Sequence, residues 1–192
     1  MERMRVLIAD DETVVAETLR EEVERLGHQV VGLACDGREA VELTRRLRPD
    51  CGIVDIKMPK MDGLSAAAEM LKENPMPIVV LTGFVDDELV DRASDAGVIA
   101  YLTKPVNAEQ LRATLAVARR RFAEFCALRR EISDLQEALE TRKLVERAKG
   151  ILMQRLSLSE ADAFRRLQKR ARDTNQKLGA VAQAVVAANE LM

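Results

Sequence analysis

Short apolar runs alternate with helix-like patterns over the first 118 residues. The apolar runs are rich in β-branched residues and predict five strands, at residues 5–9, 29–33, 51–54, 77–81 and 98–102. Apolar positions spaced three and four apart predict five helices, at residues 13–26, 38–47, 64–72, 86–96 and from 106 onward. This alternation predicts an α/β fold, with a parallel sheet that is covered by helices on both faces.

The helical pattern continues far beyond the fifth predicted strand. No Gly or Pro occurs between Val106 and Lys149. Apolar residues form a seam at steps of three and four, which favours a coiled coil, and one extra three-residue step indicates a local break in the supercoil. The alternative is a long helix that packs on its own α/β domain. The members of this apolar seam are Phe122, Phe125, Leu128, Ile132, Leu135 and Leu139.

Three short amphipathic patterns follow the seam. The first ends near Leu156, the second contains Phe164, and the third covers roughly residues 178–191. Ser159 and Asp162 have the spacing of a capping box at the start of the second helix. The sequence therefore predicts three parts: an α/β domain at 1–118, a coiled-coil connector at 119–141 and an all-α three-helix domain at 142–192.

Charge is distributed unevenly between these parts. Residues 1–118 carry 14 basic and 22 acidic side chains, a net charge of −8, whereas residues 119–192 carry 16 and 10, a net charge of +6. This asymmetry indicates an acidic module joined to one that can meet a polyanion. The three cysteines form no C-x-x-C pair, and no stretch resembles a signal peptide or a membrane span. We therefore expect a cytoplasmic protein without membrane association.

Polar residues follow four of the five predicted strands. Asp10 and Asp11 follow the first, Asp55 the third, Thr82 the fourth and Lys104 the fifth. Right-handed crossovers bring these strand ends to one edge of the sheet, where open α/β sheets bind ligands. Three carboxylates so close together favour a hard divalent cation, most simply Mg²⁺. One carboxylate can then attack phosphorus to form an aspartyl-phosphate, whose oxygens a lysine and a hydroxyl neutralise. Taken singly, these residues are compatible with ordinary roles: Asp10-Asp11 as a solvated N-cap, Asp55 as a loop cap, Thr82 as a strand end and Lys104 as a surface charge.

The second predicted tail helix has a basic face. Between Arg142 and Lys177 the chain has 11 basic and 4 acidic residues. A solvated face usually mixes both signs, so a nearly all-positive arc favours contact with a phosphate backbone. The alternative is a merely soluble surface. The arc opposite Phe164, Leu167 and Ala171 is formed by Arg165, Arg166, Lys169, Arg170 and Arg172.

The ordered set of Asp10-Asp11, Asp55 in DIKMPKMDG, Thr82 and Lys104-Pro105 resembles a response-regulator receiver domain over residues 4–118. The resemblance implies a flavodoxin-like strand order 2-1-3-4-5 and makes Asp55 the phosphoacceptor. It implies that Mg²⁺ is held by Asp10 (through water), Asp11, Asp55 and the backbone carbonyl of Lys57. It also implies a Thr82–Tyr101 switch pair and a phosphoryl contact from Lys104. Gly83 and Phe84 depart from the usual small residues after the threonine, and Phe84 offers no polar group to position a water for dephosphorylation.

The tail segments ETRKLVERAKGILMQRL, AFRRLQKRA and KLGAVAQAVV resemble an ANTAR domain over about residues 138–190. The whole chain is similar to actinobacterial phosphorylation-dependent antitermination regulators. The resemblance implies binding of RNA hairpins in nascent transcripts. Phe164 is the only aromatic residue beyond Phe125 and lies on the core face, so we expect recognition through basic side chains. The candidates are Arg142, Lys143, Arg147, Lys149, Arg165, Arg166, Lys169, Arg170 and Arg172.

Together these patterns predict a two-component response regulator. We expect it to catalyse only its own phosphorylation and dephosphorylation and otherwise not to be an enzyme. A separate histidine kinase must supply the phosphoryl group, since His28 is the only histidine and lacks a kinase-like context. We expect phosphorylation to promote a homodimer that binds RNA stem-loops and causes antitermination. Two alternatives stay open: a DNA-binding regulator that uses the tail as a helix-turn-helix, and a pure protein-interaction module.

Overall fold

The protein was analysed as a computed structural model that describes residues 3–83 and 96–190. Phe84 and the predicted helix at 86–96, apart from its last residue, lie outside the described residues. Contacts divide the chain into two units, Met1–Cys126 and Ala127–Met192, and each is described by itself. Among the described residues, no helix is both long and apolar enough to cross a membrane.

The first unit contains a five-stranded sheet whose neighbouring strands are all parallel. The strand order is β2-β1-β3-β4-β5, which confirms the flavodoxin-like order that the receiver resemblance implies. Every residue of β3 and β4 is buried, because helices cover both faces of these central strands. The strands are β1 (Arg5–Ala9), β2 (Gln29–Ala34), β3 (Cys51–Asp55), β4 (Ile78–Thr82) and β5 (Ala100–Thr103).

Helices pack on the two faces of this sheet. One core cluster joins α1 and the start of α4 to the sheet, and the other joins α2 and α3 to the opposite face. Leu111, Leu115 and Ala118 of α4 lie in the first cluster at helical spacing. The helices are α1 (Thr13–Arg25), α2 (Gly37–Leu47), α3 (Gly63–Glu73) and α4 (Ala108–Leu156).

The start of α4 differs from the prediction by two residues. The sequence pattern placed it at Val106, whereas the helix begins at Ala108. The side chain of Asn107 accepts a hydrogen bond from the backbone N–H of Gln110, at 2.8 Å. Asn107 therefore acts as the N-cap, since its carbonyl oxygen satisfies one of the free N–H groups of the first turn.

The second unit contains the rest of α4, followed by α5 (Glu160–Asp173) and α6 (Leu178–Glu190). These are the three tail helices that the sequence predicts. Ser159 caps α5, since its hydroxyl accepts from the N–H of Asp162 at 3.2 Å, which confirms the predicted capping motif. The three helices share a small buried core that comprises Val145, Ala148, Leu167, Val181, Ala182 and Val186.

Most of the apolar seam is exposed to solvent. Leu128, Ile132, Leu135 and Leu139 are between 48% and 64% exposed, and Phe125 is 49% exposed. Phe122 is half-buried. The single chain thus leaves the apolar side chains of Leu128, Ile132, Leu135 and Leu139 in water along α4, at the spacing of a coiled-coil seam.

Candidate phosphorylation site and nucleic-acid interface

Three aspartates meet at the carboxyl ends of β1 and β3. Asp10 and Asp11 follow β1, and Asp55 is the last residue of β3. One carboxylate oxygen from each lies within 4.8 Å of those from the other two. Asp10 and Asp55 are buried, whereas Asp11 is exposed. The convergence expected from the topology is therefore present in the structure.

Lys104 connects two of these carboxylates. Its ammonium nitrogen lies 2.9 Å from Asp10 Oδ2 and 3.0 Å from Asp55 Oδ2, and 3.7 Å from Glu12 Oε1. The other oxygen of Asp10 accepts a hydrogen bond from the backbone N–H of Glu12, at 2.9 Å. The two buried carboxylates are thus neutralised by a protein cation.

Burial and pairing act in opposite directions on these groups. Burial raises the pKa of Asp55, while the hydrogen bond and charge of Lys104 oppose that rise only in part. Burial works against the charge of Lys104, but its hydrogen bonds to Asp10 and Asp55 outweigh burial and raise its pKa. Lys104 is therefore held as a cation beside the candidate nucleophile.

The loop after Asp55 is closed by the start of α3. The N–H of Gly63 donates to the carbonyl of Ile56 at 2.8 Å, and a Cβ at Gly63 would collide with the backbone carbonyl of Asp55. Asp62 caps α3 by accepting from the N–H groups of Leu64 and Ser65, both at 3.1 Å. The sequence pattern predicted only a helix from residue 64, although a Gly directly after a cap is the signal for such a close approach.

The remaining predicted site residues lie on the same edge of the sheet. Thr82 ends β4, is buried, and is paired in register with Thr103, the residue before Lys104. Tyr101 lies on β5 with 51% of its surface exposed. Lys57 is exposed in the loop two residues after Asp55. Glu12, which sequence reasoning did not single out, joins the group through its proximity to Lys104.

The donor set fits a magnesium ion. Three carboxylates with mutually close oxygen atoms provide only hard oxygen ligands, which suit Mg²⁺ rather than a softer metal. Asp10, Asp11 and Asp55 are the residues that would hold the ion here.

The second unit presents the predicted basic surface on α5. Arg165, Arg166, Lys169, Arg170 and Arg172 are all exposed, while Leu167 on the opposite face is buried. Arg165 pairs with Asp162 at 2.6 Å. Among the residues that the structure describes, Arg166, Lys169, Arg170 and Arg172 have no ion-pair partner. On α4, Arg142, Lys143 and Arg147 are exposed as well.

Lys149 occupies a different environment from the other candidate RNA contacts. Its ammonium group lies 2.9 Å from Glu146 and 2.7 Å from Glu160, and 6.0 Å above the ring of Phe164. Only 8% of the residue is exposed. Hydrogen bonds to Glu146 and Glu160 raise its pKa. Lys149 therefore links α4 to α5 within the tail, and we do not retain it among the proposed RNA contacts.

Comparisons with protein families cover both units. The receiver domain of response regulators matches residues 6–116, and the ANTAR domain matches residues 133–186. The transcriptional regulatory protein PdtaR of Mycobacterium tuberculosis is 46% identical over 182 residues, which are 95% of this chain and 89% of that protein. A protein-glutamate methylesterase/protein-glutamine glutaminase of Hahella chejuensis is 41% identical over 105 residues, but only 53% of this chain and 30% of that protein align.

Solved structures match the first unit. The receiver domain of a modulated diguanylate cyclase from Desulfovibrio desulfuricans superimposes with a TM-score of 0.60 at 35% identity, covering 64% of this chain and 98% of that one. The receiver domain of the regulator NarL from M. tuberculosis gives 0.57 at 30% identity, covering 62% and 98%. With the aspartate cluster and both family matches in place, the chain belongs to the response regulators and consists of a receiver domain followed by an ANTAR domain.

Proposed function

We propose that this chain is a cytoplasmic response regulator in which phosphorylation of Asp55 promotes dimerisation and RNA binding by the ANTAR domain, and thereby transcription antitermination. The observation that carries the proposal is the pairing of a buried Asp55 with Lys104 in the receiver of a chain whose tail exposes unpaired basic residues. We retain residues 119–141 as the connector between the two functional parts.

Asp55 has the surroundings of a nucleophile toward phosphorus. In the proposed step a carboxylate oxygen of Asp55 attacks the phosphorus of a phosphohistidine on a separate kinase. The new O–P bond forms as the P–N bond breaks, and the electron pair stays on the imidazole, which takes up a proton. A magnesium ion at Asp10, Asp11, Asp55 and the Lys57 carbonyl would supply charge neutralisation. Lys104, 3.0 Å from Asp55, is placed to neutralise the transferred phosphoryl oxygens.

In this proposal Thr82 and Tyr101 transmit the phosphorylation state of Asp55 to the rest of the receiver. Thr82 lies at the end of β4, next to the strand that carries Asp55. Its hydroxyl would bind the phosphoryl group, and Tyr101, which is half-exposed on the adjacent strand, would turn inward as Thr82 moves. This assignment is supported by their positions on neighbouring strands at the same edge.

The proposed dimer uses the apolar seam. The exposed residues from Leu128 to Leu139 recur at steps of four and three, as in the a and d positions of a coiled coil. A second copy of the chain would bury them. Sedimentation of both forms at micromolar concentration tests this. We expect a monomer–dimer shift on phosphorylation, and two monomeric forms would remove dimerisation from the proposal.

Phosphorylation is tested with acetyl phosphate and Mg²⁺, followed by intact mass. Wild type should gain one phosphoryl group, and Asp55→Asn none, since the amide is no nucleophile. Asp134→Asn, at an exposed position of α4, is the matched control and should be labelled like wild type. Chelation of Mg²⁺ should suppress labelling of wild type. Undiminished labelling of Asp55→Asn would refute the assignment.

RNA binding is tested with the phosphorylated full chain against RNA hairpins, duplex DNA and no nucleic acid. Preferential shift of RNA supports the proposal. Preference for duplex DNA would favour the helix-turn-helix alternative, for which the turn between α5 and α6 would have to present a recognition helix. Binding of neither would leave an interaction module as the better description.

A further inference from the structure

The three helices of the ANTAR domain form a groove next to the basic surface of α5. Its volume is about 390 Å³. Pockets for small ligands range from roughly 300 to 1,000 Å³, so the groove has room for about one nucleotide rather than a helical strand. Its lining comes from all three helices: Leu152 of α4, Arg166, Leu167, Lys169, Arg170 and Asp173 of α5, and Val181 and Val185 of α6.

The floor of the groove is apolar. Leu167 and Val181 are buried in the domain core, so the floor is closed from below. Leu152 and Val185 are half-buried and leave apolar surface open at the sides. The domain contains only one aromatic residue, Phe164, which packs against the core and does not line the groove. A flat apolar partner can therefore lie on aliphatic side chains here, without an aromatic platform.

The rim of the groove is charged and mostly positive. Arg166, Lys169 and Arg170 are exposed and have no ion-pair partner among the described residues. Asp173, in the last turn of α5, is the one acidic residue of the lining. A partner with a negative backbone and a flat apolar ring that carries N–H donors matches this arrangement. A nucleotide combines these features, because its phosphate suits the cations and its base edge suits the carboxylate.

We propose that this groove receives a single unstacked base from the loop of an RNA hairpin. The base lies against Leu152, Leu167 and Val185, the flanking phosphates contact Arg166, Lys169 and Arg170, and Asp173 accepts hydrogen bonds from N–H groups on the base edge. Arginine planes at the rim can stack on the ring where an aromatic residue is missing. The inference rests on the proposed RNA binding and adds its mode: one base is read inside the domain.

The probe is a pool of RNA hairpins with one common stem and a randomised loop, selected on the phosphorylated full chain. Each loop position of a selected hairpin is then replaced by an abasic nucleotide. We expect one position to lower affinity by about tenfold or more, as for a base read by a side chain. The other positions should matter little.

Val185→Trp tests the site by filling the groove without changing its charge. This variant should bind the intact hairpin as weakly as wild type binds the abasic one, and the abasic replacement should cost it nothing further. Its dependence on salt should stay that of wild type. Val117→Trp adds the same side chain at an exposed position of the receiver unit and should behave like wild type.

Asp173→Asn serves as a second variant that leaves the volume of the side chain unchanged. It should alter the preference among the four bases at the sensitive position and leave the other positions unaffected. The groove assignment is overturned if no abasic position costs more than about twofold, or if both variants keep the sensitivity and base preference of wild type. If wild type prefers no hairpin over duplex DNA, the proposed RNA function itself fails, which is a distinguishable result.

Discussion

The receiver and the ANTAR domain place their charges in opposite environments. In the receiver, Asp10, Asp55 and Lys104 lie in or next to the core and neutralise one another. In the ANTAR domain, Arg166, Lys169 and Arg170 project into water, without a partner among the described residues. Buried charges must be compensated within the fold, whereas exposed charges are solvated by water and remain accessible to an external anion. The charges of the receiver site are therefore balanced within a single chain, whereas those of the ANTAR domain are left for an external partner to balance.

The largest expected effects come from replacing one Gly by Ala in each domain, which compares the closely packed receiver site with the tail. Gly63→Ala should destabilise the receiver by about 3 kcal/mol, the upper end of overpacking costs, because its Cβ would collide with the Asp55 carbonyl. Gly150→Ala is the matched variant, since no described atom outside its own helix turn lies within 4 Å of the added Cβ. It should stabilise the second unit by up to about 1 kcal/mol, the helix-propensity gain.

Urea unfolding measures both effects. Tyr101 is the only tyrosine and the chain has no tryptophan, so tyrosine fluorescence reports on the receiver. Far-ultraviolet circular dichroism measures helix content and therefore follows both units. A wild-type midpoint for Gly63→Ala in fluorescence would show that the Asp55 loop can relax. The loop would then tolerate an added methyl group as well as the position of Gly150 does.

The next test concerns the exposed charges. Arg166→Ala combined with Lys169→Ala should flatten the slope of log affinity against log salt by roughly 1 to 1.5 units, because each phosphate contact on a single strand contributes about 0.7. The weakening should be similar for all hairpins, since phosphate contacts carry no sequence information. Arg112→Ala with Arg121→Ala removes the same charge from exposed positions in the first unit and should leave the slope unchanged. An unchanged slope in the tail variant would place the RNA elsewhere.

The smallest expected effect concerns Glu160 of the tail. Its charge is paired with Lys149 inside the domain, unlike the exposed charges of α5. Its hydrogen bond to Lys149 holds the pKa of Glu160 below the ordinary 4.5. Because the pKa is lower in the folded state, the charged carboxylate stabilises the fold at pH values above the pKa of the unfolded chain. That stabilisation is lost as the pH falls through the pKa of the folded state. Glu160→Gln should therefore melt below wild type at pH 7 and match it at pH values below the folded pKa.

Thermal melts followed by circular dichroism at several pH values give the comparison. Glu131→Gln, at an exposed position of α4 without an ion-pair partner among the described residues, removes the same charge and serves as control. A constant offset between Glu160→Gln and wild type at all pH values would show that the ion pair with Lys149 is not the cause.

Much of the receiver was predictable because strand ends of a parallel sheet have fixed positions. The locations of Asp10, Asp55 and Lys104 follow from the alternation of strands and helices, and the structure brings them together. Gly63 and Glu12 were missed as site residues, since their roles depend on how a loop closes and on where one lysine points. The switch role of Thr82 and Tyr101 stays a prediction.

The tail was predictable in its helices but less so in its surface. Helical spacing gave three helices and the basic arc of α5. It could not reveal that Lys149 also pairs with Glu160, because that contact depends on how two helices cross, whereas the pairing with Glu146 is an i, i+3 contact within α4. The groove was missed for the same reason: Leu152, Asp173 and Val185 come from three different helices, and no periodicity in the sequence relates them.

The small core of the ANTAR domain has a consequence for its folding equilibrium. Six residues form the buried cluster, and three of them are alanine or valine on α6, so little apolar area holds the three helices together. A ligand that occupied the groove would contact all three helices, so it would bind only when they are assembled. By mass action it stabilises the assembled form by about 2.7 kcal/mol at a hundredfold excess over its dissociation constant. If RNA occupies the groove as proposed, its binding also stabilises the assembled three-helix domain.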